Sequence, residues 1–123
     1  MSRRLLGICV ILLAGVMLSG AATQEDFLLD TGEDLLVLCT VDNEDPLQQA
    51  ANNFCLGFAV GTYRMLVDMT KLDPVVCLPE NPPSRTKAVQ MFVAWAQENP
   101  RHHKDAPEDL VVRFILQQWP CPK

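Results

Sequence analysis

The stretch FCLGFAVGTYRMLVDMTKLDPVVC, residues 54–77, decides the fold. Within it, Phe54, Phe58, Gly61 and Met65 recur at helical spacing and form one apolar stripe. A second apolar stripe adjoins the first, so the helix is apolar over more than one face. We therefore expect a long central helix with neighbours on several sides.

Gly57 and Gly61 lie four positions apart, a spacing that allows the backbone of another helix to approach closely. In a membrane span this pattern would favour dimerisation. The apolar run is short, however, and it contains Arg64 and Asp68. We therefore favour two closely packed helices within a soluble bundle.

The N-terminus, residues 1–22, has the organisation of a secretory signal peptide. A basic start, Met1–Arg4, precedes an apolar segment that ends in the small residues Ser19–Ala22. We expect cleavage near Ala21 or Ala22, in preference to an uncleaved membrane anchor. The product would be an exported protein.

The remaining residues, 23–123, suit a single small domain. Loss of Arg3 and Arg4 leaves 8 basic against 15 acidic residues, which moves the net charge from -5 to -7. Nucleic acid and anionic membrane surfaces both require a basic footprint, so neither is expected as a partner. The acidic residues concentrate before Pro46, where they either steer a basic partner or serve solubility and helix capping.

Capping and proline signals predict an all-α fold, a small four-helix bundle with short links. The first helix starts with Thr31 and Asp34, the second with Asp45 and Pro46. We expect a mobile acidic lead over residues 23–30, helices over 31–39, 45–70, 84–98 and 105–119, and a proline-rich loop over 71–83. No segment alternates with the period of a strand.

Four cysteines remain after processing, namely Cys39, Cys55, Cys77 and Cys121. An even count in a small exported protein predicts two disulfides. No pair has C-x-x-C spacing, which argues against zinc. Four cysteines allow three pairings, and the order of the helices favours Cys39–Cys55 and Cys77–Cys121.

The sequence offers no catalytic constellation. His102 and His103 are adjacent on a connector, and we interpret them as solvated loop residues, with a partner contact and a metal or pH-sensing site as the alternatives. Ser84 has the position of a helix cap, and no glycine-rich phosphate loop is present. We expect a protein that is not an enzyme and that needs no metal or cofactor.

Several short motifs follow one another across residues 39–121. They are Cys39, Cys55-Leu56-Gly57-Phe58-x-x-Gly61, Cys77-Leu78-Pro79-Glu80, Asn99-Pro100-Arg101-His102, Ala106 and a terminal Trp119-Pro120-Cys121. This ordered set resembles the Rap/Tai family of immunity proteins, which protect bacteria from peptidoglycan amidase toxins delivered by type VI secretion. The resemblance implies a periplasmic, all-helical, disulfide-bonded protein, often a homodimer, that binds an amidase and occludes its active-site cleft.

Our first hypothesis is therefore an immunity protein that inhibits a type VI amidase effector by inserting a loop into its cleft. Two loops qualify, Lys71–Pro83 and Asn99–Asp105. The candidate partner-binding residues are Arg101, His102, His103, Lys104, Pro79 and Glu80. The alternatives are a small periplasmic stress or acid-protective chaperone-like protein, and a small enzyme that would require a free cysteine.

Overall fold

The structure, a computed structural model, describes residues 21–123, so the predicted signal peptide falls almost entirely outside the described residues. Its four α-helices are α1 (Gly32–Cys39), α2 (Gln48–Met69), α3 (Arg85–Glu98) and α4 (Pro107–Gln118). Short 3-10 turns cover Glu25–Leu28 and Pro100–His102. Over residues 21–123 there is no strand, only an isolated bridge between Val76 and Pro120. The predicted all-α, four-helix fold is confirmed.

The starts of α1 and α3 follow the capping signals in the sequence. The backbone amide of Thr31 donates to Oδ2 of Asp34 at 2.8 Å, which closes the predicted capping box. The hydroxyl of Ser84 accepts from the amide of Lys87 at 3.2 Å. Each bond satisfies a backbone amide that the helix itself cannot pair.

The start of α2 lies two residues after the predicted first helical position, Pro46, and the start of α4 lies one residue after the predicted Ala106. Oδ1 of Asp45 accepts from the amide of Leu47 at 2.8 Å in a tight local turn, so α2 begins at Gln48 and not at Pro46. Before α4, the carboxylate of Asp105 is engaged by other side chains, and Ala106 occupies the N-cap position. In both cases the aspartate makes a turn or tertiary contact instead of a cap.

The predicted neighbours of α2 on several sides are confirmed, because α1, α3 and α4 all contact it, but the buried core is centred on α4 and not on α2. The largest buried cluster consists of Leu35, Phe92, Ala96, Leu110, Val111, Phe114 and Ile115, four of which belong to α4. In contrast, the buried residues of α2 are Ala51 and Cys55. The other residues of α2 are half-buried or exposed, although α1, α3 and α4 all contact this helix.

The segment before α1 is folded, so the prediction of a mobile acidic lead over residues 23–30 is wrong. The ring of Phe27 packs edge-on against Phe54 with centroids 5.4 Å apart. Ala22, Leu38 and Ala51 form a second buried cluster, to which Phe27 also packs. The apolar residues within the acidic segment are thus sufficient to attach it to α1 and α2.

Two disulfides close the fold in the pairing that the helix order favours. Cys39 and Cys55 join the end of α1 to α2, with Cα atoms 5.2 Å apart. Cys77 and Cys121 join the loop after α2 to the segment after α4, with Cα atoms 4.7 Å apart. None of the helices within residues 21–123 is both long enough and apolar enough to cross a membrane.

Candidate partner-binding surfaces

The segment between α3 and α4, residues 99–106, is called the connector. It begins with the 3-10 turn and packs against the start of α1. The carbonyl of His103 accepts from the amide of Glu33, and the carbonyl of Asp105 accepts from the amide of Gly32, both at 2.8 Å. The connector therefore satisfies amides at the N-terminus of α1 that would otherwise lack helical partners. Its backbone is fixed before any partner binds.

His102 is held in a short polar chain rather than solvated. Nε of Arg101 donates to Nε2 of His102 at 3.1 Å. The other ring nitrogen, Nδ1, lies 2.9 Å from Oδ2 of Asp105, which fits a neutral ring that carries its proton on Nδ1. The ring also lies parallel to that of Trp95, with centroids 6.2 Å apart. Only 19% of the side chain is exposed, so the interpretation of His102 as a solvated residue is wrong.

His103 faces the bundle and has a structural role. Its Nε2 lies 2.7 Å from the carbonyl oxygen of Ala96 near the end of α3. The same carbonyl also accepts from the amide of Asn99, so His103 is a second partner for the end of that helix. The ring is half-buried, and the interpretation of His103 as a solvated residue is also wrong. A partner that reached His103 would compete with this bond.

Lys104 is exposed and forms an ion pair with Glu33 at the start of α1. Its Nζ donates to Oε2 of Glu33 at 2.7 Å. The hydrogen bond and the negative charge of Glu33 raise the pKa of Lys104 above its ordinary value. Arg101 is also exposed, and its Nε donates to a ring nitrogen of His102 and not to a carboxylate. Arg101 and Lys104 are thus the two cationic groups that the connector presents to solvent.

Pro79 and Glu80 belong to a different surface, the exposed loop between α2 and α3. This loop is fixed at Cys77, whose amide donates to the carbonyl of Trp119 at 2.9 Å in addition to the disulfide. Trp119 follows the C-terminus of α4, whereas the connector precedes its N-terminus. The anchors of the two loops therefore lie at opposite ends of a helix about 18 Å long. The structure brings the four connector residues together, but it does not join them to Pro79 and Glu80.

A third surface, the α2 groove, is one that the sequence predicted to be buried. It is an open apolar depression of about 560 Å³ along α2 and the first turns of α4. It is lined by Gly57, Phe58, Gly61, Thr62, Met65, Leu66, Met69, Glu108 and Val112. Met65 is 60% and Met69 is 76% exposed. Within residues 21–123, no atom outside the local helix backbone lies within 4 Å of a Cβ placed on Gly57 or Gly61. The predicted close packing of another helix on these glycines is therefore wrong for the described residues.

The cysteines and the potential metal ligands are the remaining candidate reactive groups of the described residues. All four cysteines of residues 21–123 are in disulfides. Within the same range, no three histidine, cysteine, aspartate or glutamate side chains cluster closely enough to hold a metal ion. The sequence located the connector, but it missed the residues that fix it, Glu33, Trp95 and Asp105. Their contacts are long-range or depend on the packing of α3 against α4.

Comparison with known proteins gives one match. The family model for Rap1a immunity proteins matches residues 31–121. This range contains all four α-helices, the connector and both disulfides. No curated protein and no solved structure matches the chain.

Proposed function

Since the chain belongs to the Rap1a immunity protein family, we propose that it is a periplasmic inhibitor of a type VI peptidoglycan amidase effector. The family suggests a non-enzymatic role in which an immunity protein binds a partner effector. The observation that carries the proposal is the family match over residues 31–121. The signal peptide predicted over residues 1–22 would bring the protein to the compartment where peptidoglycan is cleaved.

Inhibition would be steric, with the connector covering the cleft of the amidase. The backbone of the connector is already fixed on α1 by the carbonyls of His103 and Asp105. A surface that is ordered before binding loses less conformational entropy, which favours tight association. Arg101 adds a positive charge at its rim, and Lys104 adds a second that is paired with Glu33. They would complement acidic groups around a cleft and accelerate the encounter.

The test compares two double variants of the processed, oxidised protein in an amidase inhibition assay. Arg101→Ala combined with Lys104→Ala removes the two positively charged side chains of the connector. Arg85→Ala with Lys87→Ala is the matched control, because these residues are also exposed and lie at the start of α3. If each connector contact contributes about 1 kcal/mol, the first variant inhibits at least tenfold more weakly. Equal inhibition by both variants would contradict a role for the connector, and Glu80→Ala would then test the other loop.

We also propose that a second copy of the chain covers the α2 groove. A two-fold axis places the same face of α2 on both subunits, so the contact is self-complementary. Gly57 and Gly61 leave room for the backbone of the second helix. Met65 and Met69, with their flexible side chains, can adapt to the opposing surface. A homodimer would thus bury the apolar face that a single chain leaves open.

Native mass spectrometry and light scattering test this homodimer. The wild type is expected at twice the mass of one processed chain, and Met65→Lys at the mass of one chain. Asn53→Lys is the control, because Asn53 is an exposed residue of α2 that does not line the groove. A wild type that stays monomeric up to high micromolar concentration would contradict the proposal.

The chaperone-like alternative rests on the same open apolar groove. A chaperone of that kind would expose the groove to unfolded clients when acid dissociates the dimer. Dye binding across an acid titration distinguishes the two functions, because an immunity protein has no need of such exposure. A large rise in dye fluorescence before unfolding, together with suppression of client aggregation, would favour the alternative.

A further inference from the structure

The backbone nitrogen of Ala22 is attached to the rest of the fold by one carboxylate. It donates to Oδ2 of Asp45 at 3.0 Å. The other oxygen of the same carboxylate, Oδ1, accepts from the amide of Leu47 at the entrance to α2. Ala22 itself is only 8% exposed and packs with Leu38 and Ala51. The start of the described chain is therefore held both by a hydrogen bond and by burial.

The sequence alone leaves two adjacent bonds as cleavage sites. Ser19 and Ala21 provide the small residues for a cut after Ala21, and Gly20 and Ala22 provide them for a cut after Ala22. The first cut keeps Ala22 in the buried cluster. The second cut removes it and takes away the amide that Asp45 accepts.

We propose that processing occurs between Ala21 and Ala22, and that the new α-ammonium group of Ala22 forms an ion pair with Asp45. Water hydrolyses the Ala21–Ala22 peptide bond. The leader departs with the carboxylate of Ala21, and the nitrogen of Ala22 gains protons to become an ammonium group. One neutral N–H donor is thereby replaced by a charged group next to a carboxylate that is already oriented. Charge-assisted hydrogen bonds of this kind are stronger than neutral ones.

The amide of Thr23 also faces a carboxylate, which makes the second cut a real competitor. It donates to Oδ2 of Asp26 at 2.6 Å, within an exposed local turn. An ion pair there would be solvated and would tie the N-terminus only to its own turn. The Ala22–Asp45 contact instead links positions 23 residues apart and connects the N-terminal segment to α2. Long-range attachment and burial both favour the first cut.

The first measurement is the intact mass and N-terminal sequence of protein exported to the periplasm from the full-length chain. We expect Ala22 as the first residue. A product that begins at Thr23, which is lighter by one alanine, or a chain that keeps its leader, would overturn the proposed cleavage.

The second measurement tests the ion pair in the exported protein by urea unfolding. Asp45→Asn is compared with Asp42→Asn, whose carboxylate also accepts a local backbone amide, that of Glu44. We expect the folding equilibrium constant to fall about tenfold or more for Asp45→Asn, and to change much less for Asp42→Asn. Acetylation of the α-amine should weaken the wild type and leave Asp45→Asn unchanged. Equal losses of stability in the two variants would overturn the ion pair. An equal effect of acetylation on the wild type and on Asp45→Asn would overturn it as well. None of these readouts depends on an effector.

Discussion

The contact between the start of α1 and α4 leaves no room for a side chain at Gly32. Gly32 is buried, and its amide donates to the carbonyl of Asp105 at 2.8 Å. A Cβ at this position would lie 2.7 Å from Cδ2 and 3.3 Å from Cβ of Leu110. Gly32→Ala would therefore force α1 and α4 apart or push Leu110 from its rotamer.

The size of the destabilisation by Gly32→Ala depends on which atoms of Leu110 can move. Cδ2 of Leu110 is the end of a side chain, but Leu110 is completely buried, so its rotation would create a clash elsewhere. The Cβ of Leu110 is fixed by the backbone of α4 and cannot move independently. Overpacking of this kind costs about 1 to 3 kcal/mol, and we expect a value near the middle of that range. The melting temperature would fall by roughly 4 to 8 °C for each kcal/mol lost.

Gly57→Ala is the matched control, since it adds the same methyl group to another helical glycine. Among the described residues, the new Cβ would meet no atom within 4 Å beyond the local helix backbone. Alanine at an exposed position within a helix should raise stability by about 0.5 to 1 kcal/mol. Urea unfolding followed by far-UV circular dichroism, at a concentration where the chain is monomeric, measures both variants. A Gly32→Ala variant as stable as the wild type would refute the described packing of α1 on α4.

Three further predictions concern the other attachments of the fold. The double variant Cys77→Ser with Cys121→Ser removes the disulfide that closes a loop with a sequence separation of 44. We expect the free energy of unfolding in urea to fall by about 4 kcal/mol. An unchanged free energy of unfolding would contradict the chain-entropy argument. Phe27→Ala should lower the free energy of unfolding by about 2 kcal/mol, roughly half the value for a fully buried ring. It should also speed the hydrogen exchange of backbone amides in the segment before α1. Unchanged exchange rates would mean that this segment is not attached to the helices. Glu33 raises the pKa of Lys104 above 10.5. The ion pair between them therefore stabilises the fold fully below pH 10.5, and this stabilisation is lost as the pH rises through the raised pKa. An alkaline titration should therefore narrow the stability difference between wild type and Lys104→Gln, and a constant difference would argue against the pair.

Local sequence signals predicted the parts of the fold that local interactions determine. Asp34 and Ser84 mark the starts of α1 and α3 because their side chains accept from amides three residues away or less. The order of the helices also favoured the observed disulfides, since each pair joins segments that short links bring together. Asp45 and Asp105 were predicted to be helix caps, and that prediction is wrong. There the carboxylate serves a turn or a tertiary contact, which the local pattern does not distinguish from a cap.

The burial of α2 could not be predicted because periodicity reports the character of a helix face and not the presence of a neighbour. The stripe through Gly61 and Met65 is apolar, but no element within residues 21–123 packs over it, and it lines an open groove beside the first turns of α4. The roles of His102 and His103 were missed for a related reason. Their partners, Trp95 and the carbonyl of Ala96, are brought within reach only when the connector folds back on α3.

The most direct test of the central claim is a titration of type VI peptidoglycan amidases with the processed, oxidised protein, followed by activity and native mass spectrometry. The account predicts that one amidase loses activity linearly, reaching zero at one chain per enzyme, and that a complex of that stoichiometry is isolated. Full amidase activity at a large excess of the protein, with no complex for any enzyme of this class, would contradict an inhibitory role.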